Sequence, residues 1–578
     1  MRQKLLSFTL GILCALTVAG TASAQTPDPG TTGPFAVTRE EYDYGNLAFQ
    51  PTGFPSAVEV RASVHYPTNI TSGPFPLVVF MHGRHATCFR SNMASLRWPC
   101  RSNEQPIPSF QGYDYVAQTL ASNGYIVVSV SANGINAFDN NVNDLGMLAR
   151  AELIQRHLNQ WNTFNTTGAA PFGTKFVGEV DLTRVGTMGH SRGGEGVVRH
   201  YVHNAGLGSP YGVKAVFPLA PVDFNRPVVN NAALGVVLPY CDGDVSDNQG
   251  VHFYDDARYN VAGDTGAKHT IQVMGANHNF YNTIWTPGLF PAGTADDWTS
   301  FVAGGTADAQ CGTGAGNKRL TAAQQRGTNL AYLSAFMRVY VGGETQFTPI
   351  LTGAAPPPAS ALTTDLHVSY HAPDSATKRR DVNRLLTATN LTTNTLGGAA
   401  TQTGLTPHDL CGGNSPQPQH CLPSTQSTSR QPHTTPSARS TLRGLSQLRT
   451  GWAAFGATYT NALPLGARDV SGFQALQFRA SVNFADARNP QAPQNFTVVL
   501  TDGTGAQATV RVGDVSNALF YPPGTTGPVP KVVLNTVRLP LTSFTGVNLS
   551  DIRTVQFRFD QTTQGALLIT DLAFASAP

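Results

Sequence analysis

The sequence predicts an α/β half, a mostly parallel sheet flanked by helices, followed by an all-β sandwich. Three observations predict it. Residues 57–350 alternate short apolar strand-like runs with helical segments, the pattern of successive βαβ units. A Gly-Ala-Ala-Pro-Pro-Pro-Ala-Ser stretch, Gly353 to Ser360, then breaks the chain as a linker does. Beyond it helical periodicity fades and alternating segments take over. At 578 residues the chain exceeds what one core usually organises. The expected division is a signal over 1–24, a catalytic domain over 25–350, a linker over 351–362 and an accessory β domain over 363–578.

The elements follow in order. Val58 to Tyr66 alternates as a half-buried strand, and Leu77 to Met81 is a continuous apolar run suited to a central strand covered on both faces. A helix over Tyr113 to Ser122 ends at Gly124, a residue that closes helices in the left-handed region. Tyr125 to Val130 is a strand and Leu145 to Trp161 a long amphipathic helix. Further strands are expected at Arg184–Met188, Val213–Leu219, Leu234–Tyr240 and Thr270–Met274, with a closing helix over Thr321 to Val341. Residues 387–447, rich in Thr, Ser, Gln and Gly, read as a long loop region. Strands are then expected at Ala475–Val482, Phe496–Thr501, Ala508–Val512, Asn535–Leu541, Thr554–Asp560 and Ala566–Phe574.

The N-terminus predicts export. Arg2 and Lys4 precede the apolar run Leu5 to Val18, which is too short to span a bilayer, and Thr21-Ala22-Ser23-Ala24 offers small residues for cleavage before Gln25. No stable membrane anchor is expected. Loss of Cys14 with the signal leaves six cysteines, an even number that reads as disulfides in an exported chain. Proximity pairs Cys88 with Cys100 and Cys411 with Cys421, leaving Cys241 with Cys311. None shows zinc-ligand spacing with histidines, so no metal is expected. A net charge of +3 without a basic block suggests no nucleic-acid partner.

Chemistry concentrates at Gly189-His190-Ser191-Arg192-Gly193-Gly194. This G-x-S-x-G follows a strand and precedes a helical run, the setting in which the serine is lifted clear of a sheet by a sharp turn. The base must follow the carboxyl end of a later strand. His200 and His203 lie on the helix after the turn, His252 in an irregular stretch, and His269 at the wrong end of the last strand. His278, in Gly275-Ala276-Asn277-His278, lies at the right end. The acid follows Leu234–Tyr240, where Asp242, Asp244 and Asp247 compete; Cys241-x-x-Asp244-Val245 best fits the spacing of a small residue, two more, then the acid and an apolar position. The same stretch lacks the glycine and glutamate of a calcium loop. The oxyanion donors are expected to be the Arg192 amide, directly after the nucleophile, and the Arg84 amide in the loop His82-Gly83-Arg84.

These residues resemble the α/β-hydrolase superfamily over roughly residues 57–345, most nearly the branch of chlorophyllases, dienelactone hydrolases, platelet-activating-factor acetylhydrolases and cutinase-like polyesterases. The resemblance implies an α/β-hydrolase fold, cofactor-free hydrolysis of carboxylic esters, a triad of Ser191, Asp244 and His278, and an oxyanion hole at Arg84 and Arg192. Asp469 to Phe473, Leu539 to Phe544 and Leu568 to Phe574 resemble jelly-roll modules with a galactose-binding-like fold, which implies a polysaccharide or polymer surface as a further partner. The expected function is a secreted serine esterase acting on a lipid, polymer or plant-derived ester. A serine peptidase and a non-catalytic binding protein are the competing readings.

Overall fold

The computed structural model describes residues 26–413, 421, 432–434, 444–521, 523 and 531–578. The export signal expected in residues 1–24 lies outside them, as does much of the 387–447 stretch. Nine strands form the largest sheet. In chain order they are β1 (Val37–Asp43), β2 (Arg61–Pro67), β3 (Phe75–Met81), β4 (Ile126–Val130), β5 (Val180–His190), β6 (Val213–Leu219), β7 (Ala233–Pro239), β8 (Lys268–Val273) and β9 (Leu366–His371). In space they run β1-β2-β4-β3-β5-β6-β7-β8-β9.

This sheet corrects the expected fold class of a mostly parallel α/β-hydrolase sheet, because it is mixed. The central strands β4, β3, β5, β6, β7 and β8 pair in parallel. Both margins are antiparallel: β1 on β2, β2 on β4, and β9 on β8. The two edge strands are those the sequence hides. β1 reads Val-Thr-Arg-Glu-Glu-Tyr-Asp, and its charges mask its strand character. β9 lies beyond the Pro-rich stretch, in the segment assigned to the accessory domain, yet it closes the large sheet. Strand also exceeds helix among the described residues, 29% against 24%.

Helices cover both faces. α1 (Asp114–Ser122) and α4 (Ala322–Tyr340) sit on one, where Val116, Leu120, Leu333 and Phe336 pack with Val78, Phe80 and Met188. α2 (Met147–Thr166) and α3 (Arg192–Gly206) cover the other, burying Leu153, Leu158, Trp161, Val197 and Val198 against Val79 and Val128. A capping box starts α4: Thr321 accepts from the Gln324 amide, and Gln324 reaches back to Thr321.

The described residues beyond β9 form two antiparallel sheets. One orders Leu405–Cys411, Gln447–Trp452, Gly565–Ala575, Ala475–Val482 and Asn535–Pro540, with Arg379–Asn383 added on Gly565–Ala575. The other orders Ala400–Thr403, Ala457–Ala462, Ile552–Phe559, Thr497–Asp502 and Gln507–Arg511. Leu476, Phe478, Val498, Leu500, Phe557 and Phe574 fill the core between them. Ala400–Thr403 and Leu405–Cys411 fall in the stretch read as loop, because their Thr, Gln and Pro content hides the alternation.

Cys88–Cys100, Cys241–Cys311 and Cys411–Cys421 are all bonded. Among the described residues no helix is long and apolar enough to cross a membrane.

Candidate active site

Ser191 stands between β5 and α3 at φ 58° and ψ −124°, a backbone region that a side chain rarely occupies. The neighbouring fold enforces this turn. The Ser191 amide donates to the Leu219 carbonyl at 2.9 Å, and the Ser191 carbonyl accepts from Gly194 at 2.8 Å. Gly189 is obligatory because a Cβ there would lie 1.9 Å from the Gly193 carbonyl oxygen. The loop after β3 lies directly on the serine: a Cβ on Gly83 would fall 2.4 Å from Ser191 Cβ and 3.1 Å from its Oγ.

That loop is held by its carbonyl. His82 Nε2 accepts from the Ala132 amide at 2.9 Å, so the ring proton sits on Nδ1, which bonds the Gly83 oxygen at 2.9 Å. Asn136 donates to the same oxygen at 2.9 Å. The planar trans peptide then directs the Arg84 N–H the opposite way, so fixing one end fixes the other. Burial pushes His82 down to about 3, which keeps it neutral in this role. The side chains of Arg84 and Arg192 also share an anchor. Both reach buried Asp139, at 3.0 and 2.8 Å, where Arg150 joins them at 2.9 Å.

His278 follows β8. Its Nδ1 lies 2.8 Å from Asp242 Oδ2, and Asp242 is fully buried. Oδ1 of Asp242 accepts from the Asp244 and Val245 amides at 3.0 and 2.6 Å, which leaves Oδ2 aimed at the imidazole. Asp242, and not the expected Asp244, therefore meets the Nδ1 of His278. Asp244 is half-exposed, with its carboxylate 3.6 Å from His278 Nε2, the opposite ring nitrogen. Asp247 accepts from Gln249 and does not meet the imidazole.

Two further residues tie the halves of the site together. His190 packs its ring 4.9 Å from that of His278 and bonds the His278 carbonyl through Nε2 at 3.0 Å. A carbonyl only accepts, so Nε2 carries the proton and Nδ1 accepts from the Tyr113 hydroxyl at 2.9 Å. Asp297, buried beside them, accepts from the amides of Gly243 at 2.8 Å and of His278 and Asn279 at 3.0 Å each. It clamps the acid loop to the base loop. Burial and the Asp242 charge push Asp297 up to about 6, against the pull of His278 and those amides. Burial alone would lower His278, but Asp242, by charge and hydrogen bond, then Asp244 and Asp297, outweigh it and push it up to about 9.

The excluded histidines have other partners. His252 lies 3.1 Å from Asp223, and His269 sits between the Leu351 carbonyl and the Tyr340 hydroxyl. His190 lies inside the serine motif, which carries no local signal for its contact with His278. Asp297 lies in Ala295-Asp296-Asp297-Trp298 between two disulfide cysteines, with nothing in the sequence to mark it.

No family model matches the chain, and no curated protein matches it.

Proposed function

We propose that the chain is a secreted serine hydrolase that cleaves a carboxylic ester, of a lipid, a polymer or a plant product, through an acyl-enzyme on Ser191. The observation that carries this reading is the fully buried Asp242–His278 pair, whose His278 carbonyl accepts from His190, the residue before a serine held at positive φ. A buried carboxylate on Nδ1 sets the imidazole tautomer that leaves Nε2 to accept a proton. The six bonded cysteines agree with an oxidising compartment.

The chemistry follows from these positions. Ser191 Oγ attacks the ester carbonyl and its proton passes to His278 Nε2. Asp242 keeps the Nδ1–H in place and steadies the imidazolium. The carbonyl oxygen, now an oxyanion, lies against the Arg84 and Arg192 amides, of which the first is aimed by His82 and Asn136. Collapse of the tetrahedral species breaks the bond to the alcohol, which takes the proton from His278. Water then attacks the acyl-enzyme along the same path and frees the acid.

Replacing Ser191→Ala tests the reading. Hydrolysis of a short nitrophenyl ester should fall by several orders of magnitude with the fold unchanged, and fluorophosphonate labelling should disappear; His278→Ala should match it, since such residues act as a unit. A Ser191→Ala protein that keeps a tenth of the activity refutes it. Comparing an ester with its matching amide separates esterase from peptidase.

A further inference from the structure

Residues from the C-terminal β region reach the acid loop of the site. Lys531, just before the strand Asn535–Pro540, is buried, and its Nζ donates to the Asp242 carbonyl at 2.7 Å. The same ammonium lies 5.3 Å from the centroid of the Trp298 ring, the residue after Asp297. The Tyr240 hydroxyl, two residues before Asp242, donates to the Pro523 carbonyl at 2.6 Å. Phe520 packs on the cluster of Tyr240, Cys241, Met274, Trp298 and Cys311. Lys531, Pro523 and Phe520 thus contact the loop of Asp242 and its surroundings through an ammonium, a carbonyl and an aromatic ring.

We propose that Lys531 is a positioning residue for the esterase reaction, and that the C-terminal β region is thereby part of the active site. The inference rests on the triad reading above. Asp242 has its side chain in the site and its main chain on Lys531. Its Oδ1 is committed to the amides of Asp244 and Val245, so a rotation of the loop backbone would carry Oδ2 away from His278. Lys531 opposes that rotation from the carbonyl side while Asp297 opposes it from Gly243. A charged donor in a buried setting makes a stronger bond than a neutral one, which suits a lysine to this place.

The test is a double-mutant cycle on the full-length enzyme with a soluble nitrophenyl ester. Lys531→Met keeps the length of the side chain and removes the ammonium. It should lower kcat at least about tenfold with KM nearly unchanged, because Lys531 acts on the main chain of Asp242. In a protein already carrying Asp242→Asn, Lys531→Met should cost less than about twofold, since the carboxylate it positions is gone. A merely structural lysine would cost the same factor in both backgrounds. If Lys531→Met fails to fold, Lys531→Gln, which retains a donor amide, carries the same comparison. A wild-type kcat in the single variant, or equal losses in both backgrounds, overturns the proposal. Failure of the triad reading is separate, because there Ser191→Ala and Asp242→Asn would themselves keep activity.

Discussion

Asp242 and Asp244 stand two residues apart, and their surroundings assign them different work. Asp242 is fully buried on Nδ1, while Asp244 lies half in solvent near Nε2. Asp242→Asn should therefore lower kcat by about four orders of magnitude, the scale of loss when the imidazole tautomer is mis-set. Asp244→Asn should stay within about tenfold of wild type. The reverse ranking in steady-state assays would return the acid to Asp244. With His278 raised to about 9, the neutral base accumulates only as pH climbs toward that value, so the acid limb of kcat/KM should lie near pH 9. Asp244→Asn removes one raising charge and should move that limb to lower pH; a limb that stays put shows that Asp244 does not act on the base. The same shift has a stability side. A histidine raised above its unfolded value contributes stability fully below about pH 6.5, and this fades as pH rises through about 9. The positions of Ser191, on a strand-turn-helix, and of His278, past a strand end, were legible because both are local patterns. Which aspartate meets the imidazole was not, since that contact depends on how two distant loops pack.

Elements were legible where burial on both faces makes the apolar run continuous. Val213–Leu219 and Ala475–Val482 have the bounds the sequence predicts, and β3 and β4 lie within two residues of them. Edge strands escaped because one side of each faces solvent or another layer, which lets charge and hydroxyls in; β1 and β9 are the cases, and with the antiparallel pairing of β2 on β4 they make the sheet mixed. Between these elements the long connection from β8 to α4 carries the support of the site. It is crosslinked at Cys311 to Cys241, next to Asp242, and it supplies Asp297 and Trp298 to the acid loop. The bond closes 70 residues of sequence separation, a loop long enough to contribute about 4 kcal/mol by restricting the unfolded chain. A Cys241→Ser/Cys311→Ser variant should therefore melt several degrees lower and lose most of its kcat, as Asp297 and Asp242 are freed from one another. Differential scanning calorimetry beside ester kinetics checks both; an unchanged melting temperature would mean that the loop is held by its buried contacts alone.

At the scale of the molecule, the Pro-rich stretch and the change of pattern suggested a catalytic domain over 25–350 and a separate accessory β domain over 363–578. The packing favours a different division. β9 comes from beyond that stretch and covers the edge of β8, whose unpaired N–H and C=O groups would otherwise be open to another chain. Charges cross the junction in the buried state. Asp255, in the helix Val251–Ala257, meets His433 at 2.7 Å and Arg479 at 2.8 Å, and Arg258 pairs with Asp571. Burial opposes the Asp255 charge, but His433, Arg479 and Arg258 together hold its carboxyl well below the usual range. Cutting after Ile350 removes His433, Arg479 and Asp571, and stranding buried charges in this way costs about 3–5 kcal/mol for a single broken pair. That is a large part of the stability of an ordinary domain. A chain truncated there should be insoluble or lack a cooperative thermal transition, and should not hydrolyse soluble esters. Extending it to Ala372 restores β9 and should recover solubility in part, but not activity, because Lys531 is still missing from the Asp242 carbonyl. The decisive measurement is kcat on a soluble ester for the purified 26–350 chain: a value near that of the full enzyme would make the β region a separate domain after all.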